Sequence, residues 1–375
     1  MRWVAAAVLA AITVPLVWLG PHGSLVALET AVFLPEIFPD APIKPLRWVT
    51  SSSSVERSSL GYSQGTAHLE VYVPTASGPH GAVLLMLGAR PIDQDHPVVT
   101  GFADGLSRLG VVVMVPASDG LAAGRIAPDE IDLLVNEFLL LRGRTDVDPD
   151  RVGFIGLSVG ASLALVAAAD ERIRDKVKFV NAFGGYFDAH DLFVAIASRS
   201  LSYAGEAAAW EPAPLAREVM VDNLVLSLPS ENERDCIRRA AIQPEHIPEC
   251  ETAELSPQAN LALELLSGPD TARAEVLVQA LMASTGNLLQ EISPRAVVHQ
   301  IHADIFVMHD LHDHYIPYTE SRRLVAALPE SQVRGWTELE LFEHVMPGQP
   351  ADPLIFAQEL ALLFRHVYLT FLEVL

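Results

Sequence analysis

A chain of 375 residues that is 50% hydrophobic can bury one large core or two smaller ones. Its formal charge of −22, from 25 basic against 47 acidic residues, repels nucleic acid and leaves no polybasic face for anionic lipid. Its two cysteines, Cys236 and Cys250, exclude a disulfide framework; they either bridge, in a region outside the cytoplasm, or stand as separate thiols.

Met1-Arg2 precedes an uncharged apolar run from Trp3 to Leu19, nearly long enough at 1.5 Å per residue to cross a bilayer core. Residues 1–20 are expected to be a signal anchor or signal peptide. The basic residue in front favours a cytoplasmic N-terminus, so the body is expected outside the cytoplasm, membrane-anchored or secreted. No small-x-small cleavage site fits well around Gly20–Glu29, and Pro15 weakens the helix. A buried helix of a soluble protein is the competing reading. Residues 21–64, with Pro21, Pro35, Pro39, Pro42 and Pro45, are expected to form a Pro-rich extended linker packed on the body.

From 65 to 185 the pattern is regular. Thr66–Val73 alternates at period two, as a half-exposed antiparallel strand does. Ala82–Leu87, Val111–Val115, Val152–Ile155 and Val177–Phe183 are short continuous apolar runs, the mark of strands buried on both faces. Helical segments over Val98–Leu109, Pro128–Leu141 and Ser158–Ala169 separate them. Strand and helix in alternation predict an α/β class: a mostly parallel sheet flanked by helices. Residues 186–300 break the pattern with helix-like segments only, at Ala189–Ser198, Ala213–Leu226, Glu231–Ile242, Pro257–Leu266 and Thr271–Ser284. They predict a helical cap over the carboxyl edge of the sheet, where open parallel sheets bind substrate. Alternation resumes over 301–375, with strands at Ala303–Met308 and Thr337–Phe342 and helices at Glu320–Leu328 and Pro353–Leu372.

The chemistry centres on Gly156-Leu157-Ser158-Val159-Gly160, set between an apolar strand and a helix of small residues. That context is what a nucleophile elbow requires: a sharp turn that lifts the serine hydroxyl clear, with glycines where backbones approach. The helix N-terminus then faces the place where an oxyanion would form. A serine hydroxyl needs a general base, and the base an orienting carboxylate; in this architecture the chain order is Ser, acid, His. The acid is sought after the strand Ala303–Met308, in His309-Asp310-Leu311-His312-Asp313-His314-Tyr315-Ile316-Pro317, and the base after the next strand, where His344 stands. His366, the rival base, lies inside the final helix and reads as a surface or core histidine.

These stretches resemble the α/β-hydrolase superfamily, in particular its dienelactone-hydrolase and prolyl-oligopeptidase-like branch. That branch often shows His-Gly-x-x-Asp-x-x-Val-Pro where this chain has His309 to Pro317. The register implies Asp313 as the acid, with Asp310, which replaces the usual glycine, as the alternative. The resemblance implies an α/β-hydrolase fold with a cap, a Ser158–His344–Asp313 triad, and hydrolysis of a carboxylic ester through an acyl-enzyme. The oxyanion hole would use the backbone N–H of Val159 and that of Ala89 or Arg90, in Gly88-Ala89-Arg90-Pro91. The expected partner is a small acyl ester. Two other readings stay open: a peptidase or amidase of the same fold, and a catalytically silent membrane-tethered binding protein.

His299, His302, His309, His312 and His314, with Asp310 and Asp313, invite a metal reading. They lack the helical i, i+4 pairing that brings ligands together, so no metal is expected. No Gly-x-Gly-x-x-Gly follows a strand and no phosphate loop occurs, so no cofactor is expected. Gly184-Gly185-Tyr186 reads as a tight turn or as part of a pocket mouth.

Overall fold

The computed structural model describes residues 20–90, 93–226, 228, 230–242, 255–285, 287–348 and 352–375. The expected membrane segment lies, apart from Gly20, outside the described residues, and so does Cys250. Buried Cys236 is disulfide-bonded.

In chain order the labelled elements begin with α1 (Gly20–Ile37), β1 (Ser54–Tyr62), β2 (Gly65–Val73), β3 (His80–Met86), α2 (Pro97–Arg108), β4 (Val112–Ser118) and α3 (Asp129–Arg142). Then come β5 (Val147–Leu157), α4 (Val159–Ala168) and β6 (Phe179–Phe183). The strands join one eight-stranded sheet in the order β1-β2-β4-β3-β5-β6-β9-β10, closed by β9 (Asp304–Asp310) and β10 (Val333–Leu339). β2 pairs antiparallel with β1 and β4; every other pairing is parallel. β3, β6 and β9 are almost wholly buried, as their unbroken apolar runs require of strands covered on both faces. Helices α3 and α4 cover one face. The other is covered by α1, α2 and the final helix.

Residues 21–64 depart from the linker reading. Residues 20–37 form α1, with Val26, Phe33, Leu34 and Ile37 buried. Phe33 packs edge-on against Phe102 and Phe371, at 5.4 and 5.1 Å between ring centres. Pro21 stands in the first turn, where no N–H is needed, and Pro35 in the last, so neither prevents the helix. Buried Glu36 is held by Arg47 at 2.8 Å and Lys44 at 3.6 Å, which folds the following segment back on α1. Residues 54–62 add the edge strand β1, whose exposed Ser-Val-Glu-Arg-Ser-Ser face carries no alternating apolar pattern.

Between β6 and β9 lie α5 (Ala189–Ser198), α6 (Pro214–Val225), α7 (Glu231–Ile242), α8 (Pro257–Leu266) and α9 (Thr271–Thr285). They bury Met220, Val225, Ile237, Leu263 and Leu277 among themselves and over α4. This region also holds a two-stranded hairpin that the helical reading omits: β7 (Ser200–Tyr203) and β8 (Glu206–Ala209). Its turn uses Ala204 and Gly205, both at positive φ, as a tight hairpin demands.

After β9 come α10 (Thr319–Ala327) and, beyond β10, α11 (Pro353–Val374). By length and composition α11 could cross a membrane. Its buried stripe of Leu360, Leu363, Val367, Phe371 and Val374 instead packs on the sheet and α1.

Candidate active site

The site stands at the carboxyl ends of β3, β5, β6, β9 and β10. Ser158 joins β5 to α4 with φ 56° and ψ −133°, a conformation that a non-glycine residue adopts under strain. The turn is tight because backbone meets backbone behind it. A Cβ at Gly160 would lie 2.3 Å from the Leu87 carbonyl oxygen, and one at Gly156 would lie 2.4 Å from Cα of Ala161. The Ser158 N–H donates to the Phe183 carbonyl at 2.8 Å, tying the turn to the end of β6.

Asp313 and His344 are brought together from two loops. Asp313 follows β9 and is 2% exposed. Its Oδ1 accepts the backbone N–H groups of Tyr315 (2.7 Å) and Ile316 (3.0 Å). Its Oδ2 lies 2.6 Å from His344 Nδ1. Because a carboxylate only accepts, His344 Nδ1 carries the proton and Nε2 is left as the basic nitrogen. Burial works to raise the Asp313 carboxyl, but the His344 and His309 imidazoles outweigh it and hold the group well below the usual carboxylate range.

His344 itself has φ 60°, a second strained residue at the site. Tyr315 stacks on its ring, 4.7 Å between centres and 21° from parallel. Gly184 also adjoins the ring: a Cβ there would lie 3.5 Å from both Cε1 and Nδ1. Ser158 and His344 therefore converge on Phe183-Gly184: one by its N–H, the other by its ring. The glycine pair that reads as a turn is also the floor of the site.

The segment Gly88-Ala89-Arg90 rests on the serine, since a Cβ at Gly88 would lie 2.9 Å from Ser158 Cβ. Val159 is the first residue of α4, so its N–H has no acceptor within the helix. Arg90 adopts φ 20°, and its side chain leaves the site to pair with Asp222 on α6.

The competing residues do other work. Asp310 accepts the N–H groups of His312 and Phe342, each at 2.8 Å, and so splices the end of β9 to the loop that carries His344. His366 is buried between Thr337 (3.1 Å) and Asn181 (3.3 Å), on the far side of the sheet. Burial pushes it down to about 3, which keeps it neutral. His302 pairs with exposed Asp175 and His314 with the Glu211 carbonyl, while His309 turns inward to Asp313. Among the described residues no group of histidine, cysteine and acidic side chains converges as metal ligands do.

Three features at this site carry no motif: the Tyr315 stack, the donation of Trp210 Nε1–H to the Asp313 carbonyl at 2.8 Å, and buried Glu320. Glu320 accepts the N–H groups of Phe187 and Asp188, both at 3.0 Å, where the chain leaves β6 for the cap. Tyr186, Leu192, Phe193, Leu281, Leu289 and Ile292 line a small apolar cavity among the helices between β6 and β9, to which none of Ser158, Asp313 and His344 contributes.

No protein-family model matches the sequence, and no curated protein matches it. Solved structures do resemble the fold. A puromycin-hydrolysing peptidase from Mycobacterium tuberculosis superposes with a TM-score of 0.51 at 13% identity, over 88% of this chain and 40% of the peptidase. EstE1, a thermostable carboxylesterase cloned from a metagenomic library, gives 0.48 at 15% identity over 93% of this chain and 97% of the esterase. The 2,6-dihydroxy-pseudo-oxynicotine hydrolase gives 0.47 at 16% identity, over 96% and 86%.

Proposed function

We propose that this chain, whose fold is that of the α/β-hydrolases, is a serine hydrolase that cleaves a carboxylic ester through an acyl-enzyme. One observation carries the reading: a His344–Asp313 pair, fixed at 2.6 Å, packs against Gly184, the residue after Phe183, whose carbonyl accepts the N–H of a strained Ser158. A buried ion-pairable dyad has little structural reason to exist without a proton to move.

In this reading Ser158 Oγ attacks the acyl carbon while His344 Nε2 takes its proton. Asp313 holds the imidazole in its Nδ1–H tautomer and stabilises the imidazolium. The oxyanion is met by the N–H of Val159 and by that of Ala89 or Arg90, at the N-terminus of α4. The imidazolium returns the proton to the leaving alkoxide, and the alcohol departs. Water, deprotonated by the same nitrogen, then attacks the acyl-serine, releases the acid and restores the hydroxyl.

Ser158→Ala is expected to abolish turnover of p-nitrophenyl acyl esters, by about 10⁴-fold or more, and to abolish labelling by a fluorophosphonate. Unchanged far-UV circular dichroism would show the fold intact. Full activity in that variant removes the nucleophile assignment. Faster cleavage of the matching anilide than of the ester would move the reading to an amidase.

A further inference from the structure

His309 is the last-but-one residue of β9 and is fully buried. Its Nε2 lies 3.0 Å from the Ile316 carbonyl oxygen and 3.2 Å from Asp313 Oδ2. Both neighbours are acceptors only, so Nε2 must carry a proton. Its other nitrogen, Nδ1, is buried with no partner among the described residues. His309 Nε2–H is therefore aimed between Asp313 and the backbone of Ile316.

That arrangement completes the surroundings of Asp313. Two backbone N–H groups fill Oδ1, the His344 Nδ1–H donates to Oδ2, and His309 Nε2 lies 3.2 Å from that same oxygen. The bond to Ile316 also closes the loop 310–316 on itself, so the carboxylate cannot rotate without breaking a second contact. We propose that His309 is a positioning residue: its Nε2–H donates to the same Asp313 oxygen that receives His344 Nδ1–H, which fixes the carboxylate plane and divides its charge between two rings. The inference rests on the triad reading above, but His309 itself touches no reacting atom.

Other titratable groups face this cluster. Asp310 stands beside His309 on β9, His312 and Tyr315 belong to the same loop, and Glu343 and His344 come from the loop after β10. They remain unchanged in the variants below, so differences between variants report on position 309 alone.

Two substitutions separate donation from bulk. His309→Phe fills the space without a donor; His309→Gln places an amide N–H near the lost Nε2. With p-nitrophenyl acetate, His309→Phe is expected to lower kcat about tenfold with KM unchanged, the scale of one hydrogen bond to a charged group. The acid limb of its kcat/KM profile is expected to move up by about half a pH unit, because Asp313 then gives its charge to His344 alone. His309→Gln is expected to restore both. Fluorophosphonate end-point labelling counts the folded sites in each preparation. A wild-type profile in His309→Phe, or a Gln variant no better than Phe, would overturn the proposal. Wild-type turnover in Ser158→Ala would instead remove the triad reading. Should His309→Phe not fold, ¹⁵N chemical shifts of His309 in the unmodified protein decide: a protonated Nε2 with bare Nδ1 supports the proposal, and an Nδ1–H tautomer refutes it.

Discussion

The turn at Ser158 and the seam between core and cap sit within a few residues of each other, yet they are held in opposite ways. At the turn, backbone touches backbone: glycines at 156 and 160 leave no room for a Cβ, and a hydrogen bond ties Ser158 to β6. At the seam, side chains reach across. Arg90 pairs with Asp222, and Arg323 bridges Asp191 (2.9 Å) and Glu320 (2.6 Å); on the cap side of the seam, Arg295 pairs with Asp188 at 2.8 Å. Asn223 accepts from Ile126 N–H and donates to the Gly124 carbonyl. Close packing permits one geometry. Charged side chains permit a range, and their strength changes with pH and salt. The turn at Ser158 is thus rigid, while the seam is adjustable.

The largest effect is expected where the packing is tightest. Gly160→Ala places a methyl 2.3 Å from the Leu87 carbonyl oxygen and 2.7 Å from that of Met86, neither of which can move without shifting β3. Destabilisation by about 3 kcal/mol is expected from such overpacking, with loss of fluorophosphonate labelling in whatever folds. Urea unfolding measures the first and gel labelling the second. A variant of wild-type stability and labelling would mean that the turn is far looser than its contacts.

The same contrast explains what was readable. The elbow, the Asp313 loop and His344 announce themselves because each needs particular residues at fixed spacings. The buried strands do so because an unbroken apolar run has few other uses. The acidic alternatives at 310 and 313 could not be separated by spacing alone, because one ends β9 and the other stands three residues beyond it; only the loop's path shows that Asp310 turns to Phe342 and Asp313 to His344. Residues 20–37 were hidden by their prolines, which signal extension in a list of residues but stand at helix ends in space. β1 was hidden by its solvent-facing polar residues. The seam was unreadable throughout: Glu320, Arg323, Arg295 and Asp222 are ordinary surface types, and nothing in their local sequence says that they meet.

Glu320 tests the seam by pH. Burial raises its carboxyl to about 7, and Arg323 and the two backbone N–H groups only partly offset that. The folded state therefore holds a proton that the unfolded chain releases near the ordinary value of 4.5. Its stabilising contribution is complete below pH 4.5 and fades as pH rises through 7. Glu320→Gln fixes the neutral form. Its stability relative to wild type is expected to rise by about 2 kcal/mol between pH 5 and pH 8, read from urea midpoints. Parallel pH curves for the two proteins would show that Glu320 is ionised throughout and that the junction is not pH-sensitive.

The smallest effect is expected at Arg90, and it bears most directly on how the two regions communicate. Its backbone borders the serine through Gly88, while its guanidinium grips Asp222 on the cap helix α6. With side chains 34% and 23% exposed, this pair lies where solvent screens charge, so Arg90→Ala is expected to change stability by less than about 1 kcal/mol. The consequence should appear in rate. Without the tether the 88–90 segment gains freedom beside the proposed oxyanion, and kcat is expected to fall about threefold, a fraction of what losing an oxyanion donor outright removes. Asp222→Ala should do the same, and the double variant should do no more than either alone, since both cut one link. Equal additive losses would mean that the two residues act separately, and that the cap does not hold the loop on which the serine depends.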